Sequence, residues 1–241
     1  MLGTLGGCAA LGGALAGCAD SVDGAAQREQ ASPAALLQQV LPTAEEVGNV
    51  VGNPLDAAGP AKVGALDVLP GGIRDSSGAD PLECLGAVTP LMRVVYESGD
   101  VTAAAWRDYS RFGADLAASS AEAGVVRFGS ATEAKRMFDR FARQWQSCEG
   151  TTVTLSIGVP GSGIALTVTD VRVDGPILSA TIVGGDPDGK FFPTEHAVGL
   201  SADSLVDADV AVTGPAPAQQ AVDGRAVALV QLMLDKLRAA G

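Results

Sequence analysis

The sequence predicts an α+β fold in which helices pack on one antiparallel β-sheet. Segments 130–148 and 217–240 carry apolar residues at helical spacing. After residue 150, several β-like runs follow one another without the strand–helix alternation of parallel sheets. The chain has 241 residues, of which 47% are hydrophobic and 18% charged, so it can bury a sizeable core.

The acidic balance of the chain excludes one class of partner. Lys and Arg total 16 against 28 Asp and Glu, giving a net charge of -12. A nucleic-acid-binding protein needs a basic surface to neutralise phosphates, so we expect no nucleic-acid partner. Anionic membrane surfaces would also repel this chain, so membrane attachment would need a lipid anchor or another device.

The N-terminal stretch indicates export. Its first 17 residues are small or apolar and uncharged, and they end in Leu15-Ala16-Gly17-Cys18, which looks like a bacterial lipobox. We predict a lipoprotein signal segment at 1–17, acylation of Cys18, and a lipid-anchored tether at 18–34. The segment lacks the positive charge with which signal peptides begin, and a flexible Gly/Ala tail is the alternative.

The elements before residue 130 are predicted in chain order from caps and periodicity. Ser32 caps a helix with Pro33 at its first position, and Thr43 with Glu46 forms a capping box for a short helix ending near Gly52. The further elements are a loop at 53–80 with a possible strand at 63–68, a short helix from residue 80 to about 90, a strand at 101–109, a loop at 110–122 and a strand at 125–128.

Segment 130–148 is the most strongly patterned helix. Ser130 and Glu133 form another capping box, and Asp139 with Arg143 has the spacing of an ion pair. Its apolar stripe consists of Ala134, Met137, Phe138, Phe141, Ala142 and Trp145. We expect this stripe to pack on the sheet.

The C-terminal half is predicted to form several strands followed by one helix. Strands are predicted at 151–157, 164–173, 177–183, 195–200 and 205–212. The second run alternates, with Val171 on the face opposite Leu166 and Val168. The helix at 217–240 carries an apolar line of Val222, Ala226, Leu229, Val230, Met233 and Leu237.

The cysteines fit an oxidising compartment. If Cys8 leaves with the signal segment and Cys18 carries lipid, Cys84 and Cys148 remain as an even pair, which predicts a disulfide. A zinc site would need more ligands than the single histidine and these cysteines offer. A nucleophilic cysteine would need His196 as its partner.

No catalytic motif stands out, so we predict no enzyme, no catalytic residues, no metal site and no cofactor. A lone histidine is more often structural than catalytic. Arg107, Tyr109 and His196 are the candidates for polar groups that line a ligand cleft. Core packing and solvation are the alternatives for all three.

Three segments together resemble a known family. They are Asp80-Pro-Leu-Glu-Cys84-Leu-Gly, the strand carrying Trp106, and the run from Val125-Val-Arg-Phe128 to Trp145-Gln-Ser-Cys148. They resemble the PknH-like extracellular sensor domain, found in a mycobacterial receptor Ser/Thr kinase and in related lipoproteins, from about residue 35 to the C-terminus. The resemblance implies an α+β sensor domain at 35–241 with a central cleft, a disulfide matching Cys84–Cys148, and a location outside the plasma membrane. A second disulfide common in that family has no counterpart here.

These observations lead to one expected function and two alternatives. We expect a sensor or ligand-binding domain, lipid-anchored on the extracytoplasmic side of the cell membrane in a mycobacterial envelope. Its partner would be a small molecule, glycan, lipid or envelope protein. A scaffolding lipoprotein and a hydrolase using His196 are the alternatives.

Overall fold

A computed structural model describes residues 33–156, 163–185, 191–214 and 224–240. The described residues all belong to one compact unit, Ala31–Gly241. The predicted signal segment, Cys18, nearly all of the tether, and Val222 lie outside the described residues. Helix α1 begins at Pro33, so the folded body starts two residues before the predicted domain boundary.

The helices and strands have the following bounds. The helices are α1 Pro33–Gln38, α2 Ala44–Val51, α3 Leu85–Val88, α4 Arg93–Tyr96, α5 Ala131–Cys148 and α6 Arg225–Ala240. The strands are β1 Asp56–Ala57, β2 Lys62–Gly64, β3 Ala79–Asp80, β4 Val101–Ser110, β5 Ala118–Phe128, β6 Thr152–Ser156, β7 Gly163–Asp174, β8 Ile177–Gly185, β9 Phe191–Ser201 and β10 Ser204–Val212.

The described strands form one antiparallel sheet with helices on both faces, which confirms the predicted α+β class. The strand order is β1-β4-β5-β10-β9-β8-β7-β6-β3, and β2 also pairs with β4. Helices α3, α4 and α5 cover one face, called here the α5 face. Helices α1, α2 and α6 cover the other, called the α6 face. Each face has its own apolar core, because alternate residues of the central strands point to opposite sides.

Helix α5 forms where the sequence predicts it, but only half of the predicted capping box is present, because the Glu133 carboxylate accepts from Arg136 at 2.6 Å and not from the Ser130 N–H. Ser130 caps it by accepting a hydrogen bond from the Glu133 backbone N–H at 3.2 Å. Its apolar stripe is buried against the sheet, with Trp145 fully enclosed. The predicted Asp139–Arg143 pair is wrong, since Asp139 instead bonds Lys135 at 2.6 Å one turn earlier. Both geometries have the i,i+4 spacing, and sequence alone does not choose between them.

The predicted loop at 110–122 is wrong over residues 118–122, which form the first part of β5. This stretch consists of Ala, Ser and one Glu, and its intrinsic strand propensity is low. It is a strand because β4 and β10 pair with it from both sides. Ala118 and Ala121 are buried, so pairing and burial override local preference.

Two other local features escaped sequence reasoning. In β7 the pairing register shifts between Thr169 and Arg172, and Asp170 has a positive φ of 52°. This bulge moves Val171 to the same side as Leu166 and Val168, against the predicted alternation. The possible strand at 63–68 is divided, with β2 followed by a 3-10 turn at Leu66–Val68.

Candidate functional site

The three residues chosen from the sequence do not line a common cleft. Tyr109 is fully buried in the core of the α6 face, where its hydroxyl donates to the carbonyl of Pro42. Arg107 lies two residues earlier on the same face of β4. His196 lies on the opposite face of the sheet, stacked on Trp145 of α5. Because Tyr109 and His196 lie on opposite faces of the sheet, the three residues do not line one cleft.

His196 belongs instead to a buried polar cluster under α3 and α4. It is 1% exposed, and its Nε2 lies 2.7 Å from Oδ1 of Asp207, its neighbour from β10. Its Nδ1 lies 2.8 Å from the carbonyl oxygen of Ala87 in α3. The second oxygen of Asp207 accepts from the Tyr96 hydroxyl at 2.7 Å and from the Leu91 N–H at 3.0 Å. Every polar group of the histidine–aspartate pair is thus hydrogen-bonded, as burial requires.

A row of carboxylates runs across the sheet beside this cluster. Asp108 of β4 is paired with Glu122 of β5, Glu122 with Asp209 of β10, and Asp209 with His196 of β9. Like charges directly opposite each other on neighbouring strands repel. Burial, together with the charges of Asp209 and Asp108, raises the pKa of Glu122 to about 10. Burial likewise raises the pKa of Asp209 to about 6, against the opposing charge of His196.

The sequence offered one indirect signal for this row. Asp209 interrupts a strand in which both of its neighbours, Ala208 and Val210, are apolar. The row became visible only once strand order and register were known, because its members come from distant parts of the chain. Glu122 gives no such signal, because the sequence predicts a loop at 110–122 where the structure has the first part of β5.

A second place is a groove formed where α1, the end of α6 and the start of α5 meet. It has a volume of about 630 Å³. Its apolar wall consists of Leu36, Leu37, Val40 and Leu237. Leu36 is 46% exposed, so part of its side chain is open to the groove.

The opposite wall of the groove is polar. It is made of residues at the β5–α5 and β9–β10 connections: Arg127, Ser130, Ala131, Ser201, Ala202, Asp203 and Ser204. Arg127 bonds Asp203 at 2.8 Å, and their side chains are 39% and 31% exposed. A hollow with an aliphatic wall and a few polar groups on one rim is typical of a site for a small amphiphilic molecule.

The disulfide joins two helices of the α5 face. Cys84 and Cys148 are bonded, with their Cα atoms 5.7 Å apart. The bond connects the start of α3 to the end of α5, and both sulfurs are buried. No group of metal-ligating side chains occurs among the described residues. In that same part of the chain, no helix has the length and apolarity needed to cross a bilayer.

Comparison with known proteins shows the family. The family model described as "PknH-like extracellular domain" matches residues 32–236. The crystal structure of the extracellular domain of PknH from Mycobacterium tuberculosis matches with a TM-score of 0.70 and 19% sequence identity. The match covers 84% of this chain and 95% of that one. No curated protein matches.

The chain therefore belongs to the PknH-like extracellular domain family, a family of sensor-type extracytoplasmic domains. The similarity of the solved structure, at 19% identity, supports the fold and says nothing about a ligand.

Proposed function

We propose that this chain is an extracytoplasmic ligand-binding domain held at the cell membrane by a lipid on Cys18. The site we propose is the groove between α1, α6 and the start of α5. The observation that carries the proposal is the combination of a half-exposed Leu36 with a hollow of about 630 Å³. Ligand sites commonly enclose roughly 300–1,000 Å³ and are mainly apolar.

The composition of the groove favours one ligand class, an amphiphile with an aliphatic chain. Four aliphatic side chains form a continuous apolar wall, and no aromatic ring is among the lining residues on which a sugar could stack. Arg127 and three serines on the opposite rim could meet a polar head group. Lipid is thus favoured over glycan among the partners considered from the sequence.

The position of α1 supports a lipid as the occupant. This helix supplies Leu36 and Leu37, half of the apolar wall, and it begins at the end of the predicted tether. Residues 19–32, fully extended, reach about 50 Å at most. If Cys18 is acylated, the groove is therefore never farther than this from the bilayer surface, where lipids are abundant.

The proposal is tested by titrating the domain with a fluorescent fatty acid, cis-parinaric acid. We expect saturable binding that Leu36→Glu weakens about tenfold or more, since it replaces about 1.5–3 kcal/mol of apolar contact by a charge. Leu36 is largely exposed, so this variant should still fold. Val173→Glu is the matched control, because Val173 is 44% exposed but lies outside the groove.

Absence of binding, or equal weakening by both variants, would refute the groove as a lipid site. Native mass spectrometry of protein recovered from its own envelope would then identify any other ligand. A protein that is recovered without any bound ligand and shows no saturable fatty-acid binding would favour the scaffolding alternative.

The hydrolase alternative has less support. Both ring nitrogens of His196 are already hydrogen-bonded and the side chain is 1% exposed, so neither nitrogen is free to act as a base in this arrangement. A general base needs a free nitrogen within hydrogen-bond reach of a substrate. We therefore propose a non-enzymatic role. A hydrolase activity lost in His196→Ala but retained in Tyr109→Phe would contradict it.

A further inference from the structure

Residues 85–96 form a flap over the sheet, called here the cover segment. It consists of α3, a connecting loop and α4. Among the described residues, three hydrogen bonds connect it to the sheet: Leu91 N–H and the Tyr96 hydroxyl donate to Asp207, and the Ala87 carbonyl accepts from His196. Other bonds of the segment run to the loop before it and to α5, through Arg93 and the Val95 carbonyl. Leu91 has a positive φ of 56°. A branched residue in that conformation costs roughly 1–3 kcal/mol, which the surrounding contacts must offset.

The hydrogen bonds of this cluster require an extra proton. Asp207 Oδ2 accepts from two donors, the Tyr96 hydroxyl and the Leu91 N–H. The Ala87 carbonyl can only accept, so His196 Nδ1 must donate to it. The contact of 2.7 Å between His196 Nε2 and Asp207 Oδ1 then needs a second proton, carried either by the imidazole or by the carboxyl.

The surroundings favour holding that proton. The indole of Trp145 lies 4.5 Å from the imidazole between ring centroids, and an aromatic face attracts a cation. Asp209 is the register partner of His196 on the other side. The titratable and charged groups facing the pair are Tyr96 from α4, Arg140 from α5, Asp108 from β4, Glu122 from β5 and Asp209 from β10. The sequences of α3 and β8 contain no titratable side chain, and Asp170 and Arg172 of β7 are about two-thirds exposed.

We propose that the His196–Asp207 pair is a proton-operated latch, which fastens the cover segment to the sheet when protonated and releases it when the proton is lost. The disulfide holds the start of the segment at Cys84, so the released segment would move about that end. The latch is independent of the lipid groove, since none of its residues lines that groove.

The direction of the response follows from the histidine. Burial lowers the pKa of His196, but the charge and hydrogen bond of Asp207 and the Ala87 carbonyl together raise it above its ordinary value. A raised histidine pKa gives stability that is complete below the unfolded value, near 6.5, and is lost as pH rises through the folded value. The cover segment is therefore fastened in acid and released towards alkaline pH.

The experiment uses the fact that the chain has a single histidine. Its ¹⁵N ring signals, followed by NMR from pH 5 to 9 with the side-chain carboxyl ¹³C signal of Asp207, report the protonation of the pair directly. Amide hydrogen exchange, corrected for the intrinsic effect of pH, reports opening of residues 85–96. Between pH 6.5 and the folded-state pKa we expect the opening equilibrium to rise about tenfold per pH unit.

Two variants separate the latch from general alkaline loosening. His196→Gln removes the titrating imidazole, so the opening of the cover segment should follow pH no more steeply than the opening of the central strands, where Glu122 and Asp209 still titrate. Asp139→Asn, on the exposed face of α5, is the matched control and should behave as the original chain does. If His196→Gln fails to fold, the titration of the original chain still decides the matter.

Two results would overturn the latch. One is an imidazole that stays neutral while the Asp207 carboxyl stays ionised throughout this range, because the pair then never holds the extra proton. The other is a pair that titrates while exchange in residues 85–96 stays constant. A failure of fatty-acid binding would leave the latch unaffected, so the two proposals can fail separately.

Discussion

At the scale of single residues, the charges that matter most are the buried ones. Surface pairs such as Lys135–Asp139 are well exposed and contribute little. Glu122 is different, because it lies between Asp108 and Asp209 in register, and its Oε1 is buried without a hydrogen-bond partner among the described residues. Such a carboxyl is more stable when protonated, and holding a proton on it at neutral pH destabilises the folded state relative to the unfolded one.

Replacing Glu122 by Gln should therefore stabilise the domain above neutral pH. The pKa of Glu122 in the folded protein, about 10, lies above the ordinary glutamate value of 4.5, so the folded protein binds more protons than the unfolded one between these values. Stability then falls as pH rises from 4.5 towards 10. Glutamine does not titrate, and we expect a gain on the order of 1–3 kcal/mol at pH 8.

Urea unfolding at pH 5 and pH 8 measures this effect. The free energy of unfolding of Glu122→Gln should exceed that of the original chain by little at pH 5 and by more at pH 8. Glu45→Gln, on the first turn of α2, is the control and should show no such growth. A gain that is equal at both pH values would contradict the interpretation.

At the scale of elements, α5 is held at both ends by different devices. A serine cap begins it, and a disulfide ends it. Between them, one face packs on the sheet and closes the core that surrounds His196. The helix thereby positions Trp145 and Arg140 against the neighbouring elements, with Arg140 donating to the carbonyl of Val95.

Loss of the cap should weaken the domain measurably. Ser130→Ala removes the acceptor for the Glu133 N–H, and we expect a loss of about 1 kcal/mol in the free energy of unfolding. Ser147→Ala, in the last turn of α5, removes only a bond to the carbonyl of Gln144 and is the matched control. If both variants lost the same free energy of unfolding, the capping bond would contribute no more to stability than the Ser147 bond does.

Reduction of the disulfide should have a larger effect. The bond closes a loop with a sequence separation of 64, for which the chain-entropy estimate is about 4 kcal/mol. We expect reducing agent to lower the melting temperature by about 10 °C or more. Thiol titration of the unreduced, folded domain should find neither Cys84 nor Cys148 free, and a free thiol at either position would contradict the pairing.

At the scale of the whole molecule, the central question is how the domain is attached. The family is extracytoplasmic, and the predicted lipid on Cys18 would supply the anchor. Mass spectrometry of the mature N-terminal peptide should find diacylglycerol on Cys18. Cys18→Ala should abolish that modification and release the exported protein from membranes. An exported Cys18→Ala protein that still fractionates with membranes would contradict the anchor.

The sequence by itself determined the features that depend on neighbours along the chain. The caps at Thr43 and Ser130 and the apolar stripe of α5 need only local spacing, and the structure has all of them. The α+β class followed from the order of helical and strand-like runs. The family followed from short motifs around Cys84, Trp106 and Cys148, and the family model confirms it.

Tertiary structure alone decided the rest, because those features depend on strand order and register. Residues 118–122 are a strand only through pairing on both sides, and the bulge at Asp170 reverses the facing of Val171. The same register separated Tyr109 from His196 by placing them on opposite faces of the sheet. The register also places Glu122 beside Asp209, which is far from it in the sequence. No local sequence pattern could reveal that burial and the charge of Asp209 together raise the pKa of Glu122.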